Sequence, residues 1–345
     1  MTGRISNGKI NALFKEWFVL HSKAMDAMDV MDELREAKRN SRWDTESTGA
    51  HLLAPSHCGK SHIVNKMYFS QRILPELRRS GQYAPDVSDG VIKKLQKKFL
   101  YFKVPEKPNV GDFGMNFLRA LGDPFAGKRE NVLERIRRGE DIMGALGTEL
   151  LALDNFDQLS KGRDRQTILE ASEVQDVVKN MIERGIPIVF VGLYNAKKTI
   201  LQNMQLKNRV QRLDIMPLRL DKDAEELYRF VAGLEILMVE NEIFDEPSGL
   251  CNEYVIVRLY YASQGRLGIL ANIIRDAAKL SSSRRRSCID PSDLVAAVQK
   301  YPLENKICRY NPFSIKETMN IERDCKLRVA EDELHYDKEY MEYFQ

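Results

Sequence analysis

Ala54-Pro55-Ser56-His57-Cys58-Gly59-Lys60-Ser61 is the stretch that decides how this chain reads. The apolar His51-Leu52-Leu53 precedes it, and a segment with helical character, Ile63 to Leu74, follows it. The stretch fits the phosphate-loop pattern G-x-x-x-x-G-K-[ST] except that Ala54 stands where the first Gly is usual. A strand, a tight loop and a helix start suit a polyphosphate, because unpaired backbone N–H groups and the positive end of the helix dipole face the anion. Ser56, His57, Cys58 and Gly59 would form the cradle, Lys60 would reach the outer phosphates, and the Ser61 hydroxyl would ligate a magnesium ion. The expected ligand is a nucleoside triphosphate.

A second element lies about ninety residues downstream, where the apolar Glu149-Leu150-Leu151-Ala152-Leu153 ends in Asp154. A buried strand ending in an acid is what a phosphate-loop protein needs to hold its magnesium. The rest of the composition excludes more than it assigns. A length of 345 residues suits two domains. Hydrophobic content of 43% is enough for a proper core, and a net charge of +3 is too small to name a partner. Cys58, Cys251, Cys288, Cys308 and Cys325 are scattered without a C-x-x-C pair, which argues against a zinc ribbon or a disulfide framework and for a reducing cytoplasm. No apolar stretch approaches ~18 residues, so no membrane span is expected, and Met1 to Lys9 has no signal-peptide core.

Helical spacing predicts a helix over residues 10–40, then a polar linker at 41–50. Strands are expected at 51–53, 98–104, 149–154, 186–192 and 213–218, and helices near 111–121, 130–147, 168–184 and 196–202 between them. Gly122-Asp123-Pro124 reads as a break. Continuous apolar strands alternating with helices predict an α/β fold, a parallel sheet covered on both faces. From Lys222 onward strand signals vanish and four helices are expected, at 222–241, 250–262, 266–280 and 290–299, the last started by Asp290-Pro291. The division that follows is an N-terminal helical segment (1–44), an αβα nucleotide-binding domain (45–220), a helical domain (221–300) and a charged, aromatic tail (301–345).

Phosphate loop, magnesium-acid strand, further strands and a helical lid make the layout of an AAA+ ATPase. Over about residues 45–280 the chain resembles the TnsC/TniB family of DNA-transposition regulators. The resemblance runs through Leu151-Ala152-Leu153-Asp154, Pro187-Ile188-Val189-Phe190-Val191-Gly192, Gln205-Leu206-Lys207-Asn208-Arg209, Met216-Pro217-Leu218 and Ser263-Gln264-Gly265-Arg266-Leu267-Gly268. It implies ATP and Mg2+ as ligands, held by Lys60, Ser61 and Asp154. It also implies that Arg209 is the arginine finger reaching a neighbouring subunit's nucleotide, and that Arg266 is the lid arginine touching the phosphates. Three departures point one way. The Glu that usually follows the magnesium Asp is Asn155, which cannot act as a general base. The polar sensor after Val-Gly is Leu193, and Ala54 replaces a loop Gly. Tight ATP binding with slow hydrolysis is the expectation; Asp157 is the candidate substitute for the missing Glu.

The resemblance further implies rings or filaments around double-stranded DNA. Lys103, Lys107, Arg119, Lys161, Arg163 and Arg165 are the candidate phosphate contacts. The runs Lys93-Lys94, Lys97-Lys98 and Arg284-Arg285-Arg286 read instead as solvated faces or subunit contacts. No recognition helix is visible, so DNA binding should be independent of sequence. A TniQ-type targeting protein would choose the site and a transposase would integrate; Asn311-Pro312-Phe313 and the segment from Tyr336 to Phe344 are candidate docking segments for them. Two other functions compete: an active DNA-dependent ATPase motor or loader, and a ligand-sensing ATPase of the STAND kind.

Overall fold

The apolar residues before the phosphate loop form β1 (Gly49–Leu53), and all five are buried. β1 lies inside a five-stranded sheet of order β2-β3-β4-β1-β5, with β2 (Phe99–Lys103), β3 (Leu150–Asp154), β4 (Ile188–Gly192) and β5 (Val210–Asp214). Every pairing is parallel. β3 and β4 are buried throughout, which is why they read as unbroken apolar runs rather than alternating ones. Parallel strands bring the phosphate loop, Lys103, Asp154 and Gly192 to one edge of the sheet, where open α/β sheets place their ligands. The computed structural model describes residues 5–160, 164–197, 200, 204–316, 320–321 and 323–325. Among the described residues the chain divides into two compact units: one runs over Lys23–Ser56 and Lys60–Ile215, the other joins the residues up to Ser22, His57–Gly59 and those from Met216 on.

In the sheet unit the first helix is α2 (Ser22–Asn40), counting α1 (Asn7–Glu16) before it. The single helix expected over 10–40 is therefore two. The chain turns extended at Trp17, and Val19, like α1, belongs to the helical unit, where it packs against Gly233, so apolar residues continue at helical spacing through a break. The linker expected at 41–50 gives way to β1 at Gly49. After the loop, α3 (Lys60–His62) runs through two wide turns, Ile63–Met67 and Phe69–Ile73, into α4 (Leu74–Arg79). Pro75 explains the second wide turn: it lacks an N–H and its ring would strike the carbonyl four residues back. α5 (Asp89–Leu95), α6 (Val110–Leu121) and α7 (Val132–Leu146) follow. Asn109 and Asn131 cap the starts of α6 and α7, and Gly122 ends α6 in the left-handed region at the expected break. α8 (Arg165–Glu183) starts three residues earlier than its apolar periodicity suggests, because Asp164 and Thr167 form a reciprocal cap. α9 (Met204–Arg209) leads directly into β5.

Below the sheet's starting edge, Arg35 of α2 is 2% exposed and donates to Glu149 at 2.6 Å and Glu76 at 2.7 Å. Lys98 joins both acids, at 3.5 and 3.3 Å. Burial alone would raise the Glu76 carboxyl, but Arg35 and Lys98 outweigh it and hold the group below its usual range. The lysine run before β2 is engaged within the chain: Lys93 donates to the Asn65 carbonyl at 2.7 Å and Lys97 to the Ala120 carbonyl at 2.9 Å.

The second unit is helical. α10 (Ala224–Glu240), α11 (Glu253–Ser263), α12 (Leu267–Ser283) and α13 (Pro291–Val298) bury one apolar core, which Ile10 of α1 also enters. Asp290 caps α13 with Pro291 in its first turn, as the sequence predicts. The Arg284-Arg285-Arg286 run is not simply a solvated face: Arg284 and Arg286 both pair with Asp293, whose side chain is fully buried. At the start of the tail α13 continues as a wide turn over Gln299–Leu303 around Pro302. Beyond it, Pro312–Ser314 forms one short turn. Arg258, fully buried on α11, donates to the carbonyls of Pro312 at 3.1 Å and Ile315 at 3.0 Å and lies over the Tyr254 ring. Arg258→Met should release this segment, because apolar sulfur cannot satisfy those buried carbonyls. Limited proteolysis near 312–316 should then run at least about tenfold faster than in the wild type; equal rates would mean that other contacts hold the tail. Lys326 onward, including Tyr336 to Phe344, lies outside the described residues.

Candidate nucleotide site

The phosphate loop turns by placing His57 (φ 66°) and Gly59 (φ 87°) in the left-handed region. Ala54 is not among the positive-φ residues, so the position where the pattern has Gly does not need one here. Ala54 instead donates its N–H to the Gly192 carbonyl at 3.3 Å, which fixes the loop's start to the end of β4. Cys58 is buried, while Ser56, His57 and Ser61 are exposed at the mouth. Lys60 is 8% exposed, and its ammonium donates to the carbonyls of Ala54 at 2.8 Å and Pro55 at 2.7 Å. It is folded back along its own loop.

Three stretches distant in sequence meet in the helical unit. Leu218 donates its N–H to the Gly265 carbonyl at 2.9 Å, and Gly268 donates to the His57 carbonyl at 2.8 Å. Both glycines are required by close approach. A Cβ on Gly265, which also has φ +68°, would sit 2.0 Å from the Leu218 oxygen, and one on Gly268 would sit 2.6 Å from the His57 oxygen. Arg266, between them, starts α12, and its Nε is buried without a hydrogen-bond partner among the described residues. A buried guanidinium nitrogen with a donor to spare is a group that an anion would satisfy.

At the end of β3, Asp154 is 2% exposed. Its Oδ1 accepts from the Asn155 N–H at 2.8 Å and its Oδ2 from the Tyr101 hydroxyl. Burial and the Asp154 carboxylate push the Tyr101 phenol well above its ordinary value, so it keeps its proton. Ser61 hydroxyl and Asp154 carboxylate are hard oxygen donors that suit magnesium. Among the described residues no cluster of three or more His, Cys, Asp or Glu could cage a metal, and a magnesium ion shared with phosphate oxygens needs none. Asn155 lies at φ 58°, a conformation Asn tolerates better than Glu. Asp157 is buried and its Oδ1 accepts from the Leu193 N–H at 3.2 Å, tying the turn Phe156–Ser160 to the end of β4. It is thus a brace between two strand ends. Asn195 is exposed.

Arg209 stands apart from this group. It ends α9 and precedes β5, whose first residue pairs with Gly49 at the start of β1. The phosphate loop leaves the other end of β1, a strand length of roughly 17 Å away. Arg209 pairs with Glu46 and lies 4.0 Å from Glu183, with 23% of its side chain exposed. The candidate DNA contacts also divide. Lys103 ends β2 opposite Asp154, and Lys107 lies in the loop that follows; both are exposed. Arg165 begins α8 after the loop from β3, on the same edge, and is exposed. Arg119 is exposed but sits in the last turn of α6, beside Ala120 and Lys97, where the strands start. The structure does not bring it to the others. Lys161 and Arg163 lie outside the described residues.

Tyr101 has no signal in the sequence. It is one aromatic residue in an aromatic strand, and its neighbours are set by the β2–β3 register.

A phosphate-loop αβα sheet joined to a helical C-terminal unit defines an AAA+ architecture. The sequence model described as "TniB: Bacterial TniB protein" matches residues 9–219. The chain belongs to the TniB family. No curated protein sequence matches it significantly. Among solved structures, the Aeropyrum pernix ORC2 protein in its ADP form is 14% identical with a TM-score of 0.59, covering 84% of this chain and 72% of that one. The same protein in ADPNP–ADP complexes is 15% identical with a TM-score of 0.58, over 84% and 71%. Drosophila ORC bound to DNA is 13% identical with a TM-score of 0.50, over 89% and 67%. At these identities the likeness shows the fold. Among the described residues no helix is long and apolar enough to cross a membrane.

Proposed function

We propose that this chain binds ATP with Mg2+ and, in that state, assembles with further copies of itself on duplex DNA, linking a TniQ-type targeting protein to a transposase. The observation that carries the assembly is the position of Arg209. A cation next to a transferred phosphate is valuable, yet Arg209 lies at the sheet edge opposite its own phosphate loop. Out of reach of its own nucleotide, it is placed to suit the nucleotide of another copy. The cradle of Ser56, His57, Cys58 and Gly59, with Lys60 and Arg266, would hold the phosphates; Ser61 and Asp154 would serve the metal, which neutralises phosphate charge when bound. Asn155 has no basic group to take a proton from water, and Asp157 is engaged with Leu193. ATP therefore acts as an assembly signal. Phosphate release, followed in a coupled assay, should lag far behind assembly; a turnover as fast as assembly would favour a motor.

For DNA, Lys103, Lys107 and Arg165 offer charge without a base-reading element, so binding should depend on salt and not on sequence. Replacing all three by Ala should lower the slope of log affinity against log salt by about three, as read by anisotropy of a labelled duplex. Arg119→Ala should leave the slope unchanged. An unchanged slope in the triple variant would move the DNA surface elsewhere.

A further inference from the structure

The three arginines between α12 and α13 are not equivalent. Arg284 and Arg286 are anchored on Asp293, whose side chain is fully buried; Arg286 lies 2.7 Å from it and also meets Asp290 at 3.1 Å. The Ser281 hydroxyl holds Asp293 in turn. Arg285, between the two, is exposed, and its side chain has no hydrogen bond or ion pair among the described residues. Its backbone is fixed nonetheless. α12 ends at Ser283, Arg284 caps it, and Arg285 takes φ 58°. The Arg285 N–H donates to the Ser282 carbonyl and the Arg286 N–H to the Ser281 carbonyl, both at 3.1 Å. This is the Schellman ending of a helix, whose left-handed residue is usually Gly because a Cβ is costly there. A cation near a helix C-terminus gains from the dipole, but Arg284 and Arg286 already supply that. Arg285 therefore occupies an unfavourable backbone position with no internal task for its charge.

The surroundings of Arg285 are polar. Two carboxylates pair with the run, Asp290 and Asp293, and they leave one guanidinium over. Glu246 is taken up by the Ser287 hydroxyl at 3.0 Å. Ser283, Arg284 and Ser287 are exposed beside Arg285, and Asn7 of α1 is tied to Ser283 by side-chain hydrogen bonds of 3.3 and 3.4 Å. None of the exposed large apolar side chains lies in this turn or at the start of α1. Small polar residues around a fixed arginine suit phosphate and sugar oxygens, whereas the centre of a protein interface favours apolar and aromatic side chains.

We propose that the turn Ser283–Ser287 is a second phosphate contact for duplex DNA, on the helical unit, with Arg285 as the residue that touches the DNA backbone. It adds to Lys103, Lys107 and Arg165 of the sheet unit, and it rests on the duplex-binding reading given above. The two anchored neighbours and the Schellman bonds hold the turn in place, so the contact forms with little ordering of the chain.

The test uses the full chain with ATPγS and Mg2+ and a labelled duplex of arbitrary sequence, followed by anisotropy over a salt series. In Arg285→Gly the left-handed position receives the residue it prefers, so the melting temperature should stay at or above that of the wild type. The slope of log affinity against log salt should nevertheless fall by about one, with affinity about threefold to tenfold weaker at low salt. Arg285→Lys keeps the charge and should keep the slope. Added to the Lys103, Lys107 and Arg165 triple variant, Arg285→Gly should lower the slope by a further unit or so. An unchanged slope in Arg285→Gly would overturn the proposal, and so would a loss of the same size in Arg285→Lys. An unchanged slope together with weaker self-assembly in sedimentation velocity without DNA would assign the turn to a contact between copies instead. A wild-type chain that holds no duplex at any salt would overturn the duplex-binding reading itself, whereas a loss in Arg285→Gly with none in the triple variant would leave this contact standing and remove the other.

Discussion

Lys60→Ala should abolish useful nucleotide binding, weakening ATP by at least ~100-fold, or about 3 kcal/mol. The ammonium is the one side-chain cation supplied by the loop itself, and it is 8% exposed, so its attraction for a phosphate is little screened by water. In the structure it donates to two carbonyls of its own loop, at 2.8 and 2.7 Å. Those bonds keep the charge satisfied near the cradle, and a phosphate replaces them with stronger charge-assisted ones. The substitution removes both the loop tie and the charge, so a thermal melt without nucleotide should accompany isothermal titration calorimetry with ATP and Mg2+. An unchanged melt with lost binding assigns the effect to the phosphate contact. Retained micromolar binding would mean that the loop is an ordinary turn.

Arg209→Ala should separate binding from assembly. One chain should still take up ATP, because Arg209 lies a strand length from its own loop. Assembly should shift to at least ~30-fold higher protein concentration, since a charge pair across an interface is lost. The fold should be unaffected, because the ion pair with Glu46 is at the surface, and pairs of that kind contribute little. Charge reversal at the partner gives an internal control: Glu46→Lys removes the surface pair and keeps the arginine, so assembly should persist. Sedimentation velocity with ATPγS reads both variants. Normal assembly of Arg209→Ala would remove the arginine from the interface.

The loop and the Asp154 strand were legible because their chemistry is local. A Gly-Lys-Ser at a helix start and an acid after an apolar strand need no knowledge of distant residues. The sheet was legible for the same reason, since burial on both faces writes unbroken apolar strands. β5 was misplaced because one apolar stretch serves two cores. Val210–Asp214 pairs with β1, whereas Met216 onward belongs with the helical unit, where Leu218 bonds Gly265. Charge runs misled in another way. Lys97 and Arg286 look solvated in sequence, yet each bonds a group supplied by folding, the Ala120 carbonyl and Asp293. Arg35, Arg258 and Tyr101 were invisible altogether, because their partners lie 41 to 114 residues away or arrive through strand register. Arg119 shows the converse: it lies near Lys103 and Lys107 in sequence, and a helix length carries it to the opposite edge.

The most direct test of ATP-gated assembly is electron microscopy of the purified chain with a short duplex of arbitrary sequence, in ATPγS, in ADP and without nucleotide. Rings or filaments on the duplex with ATPγS, and dispersed particles in the other two conditions, are the expected result. Dispersed particles in all three conditions, or the same assemblies in all three, would contradict the account.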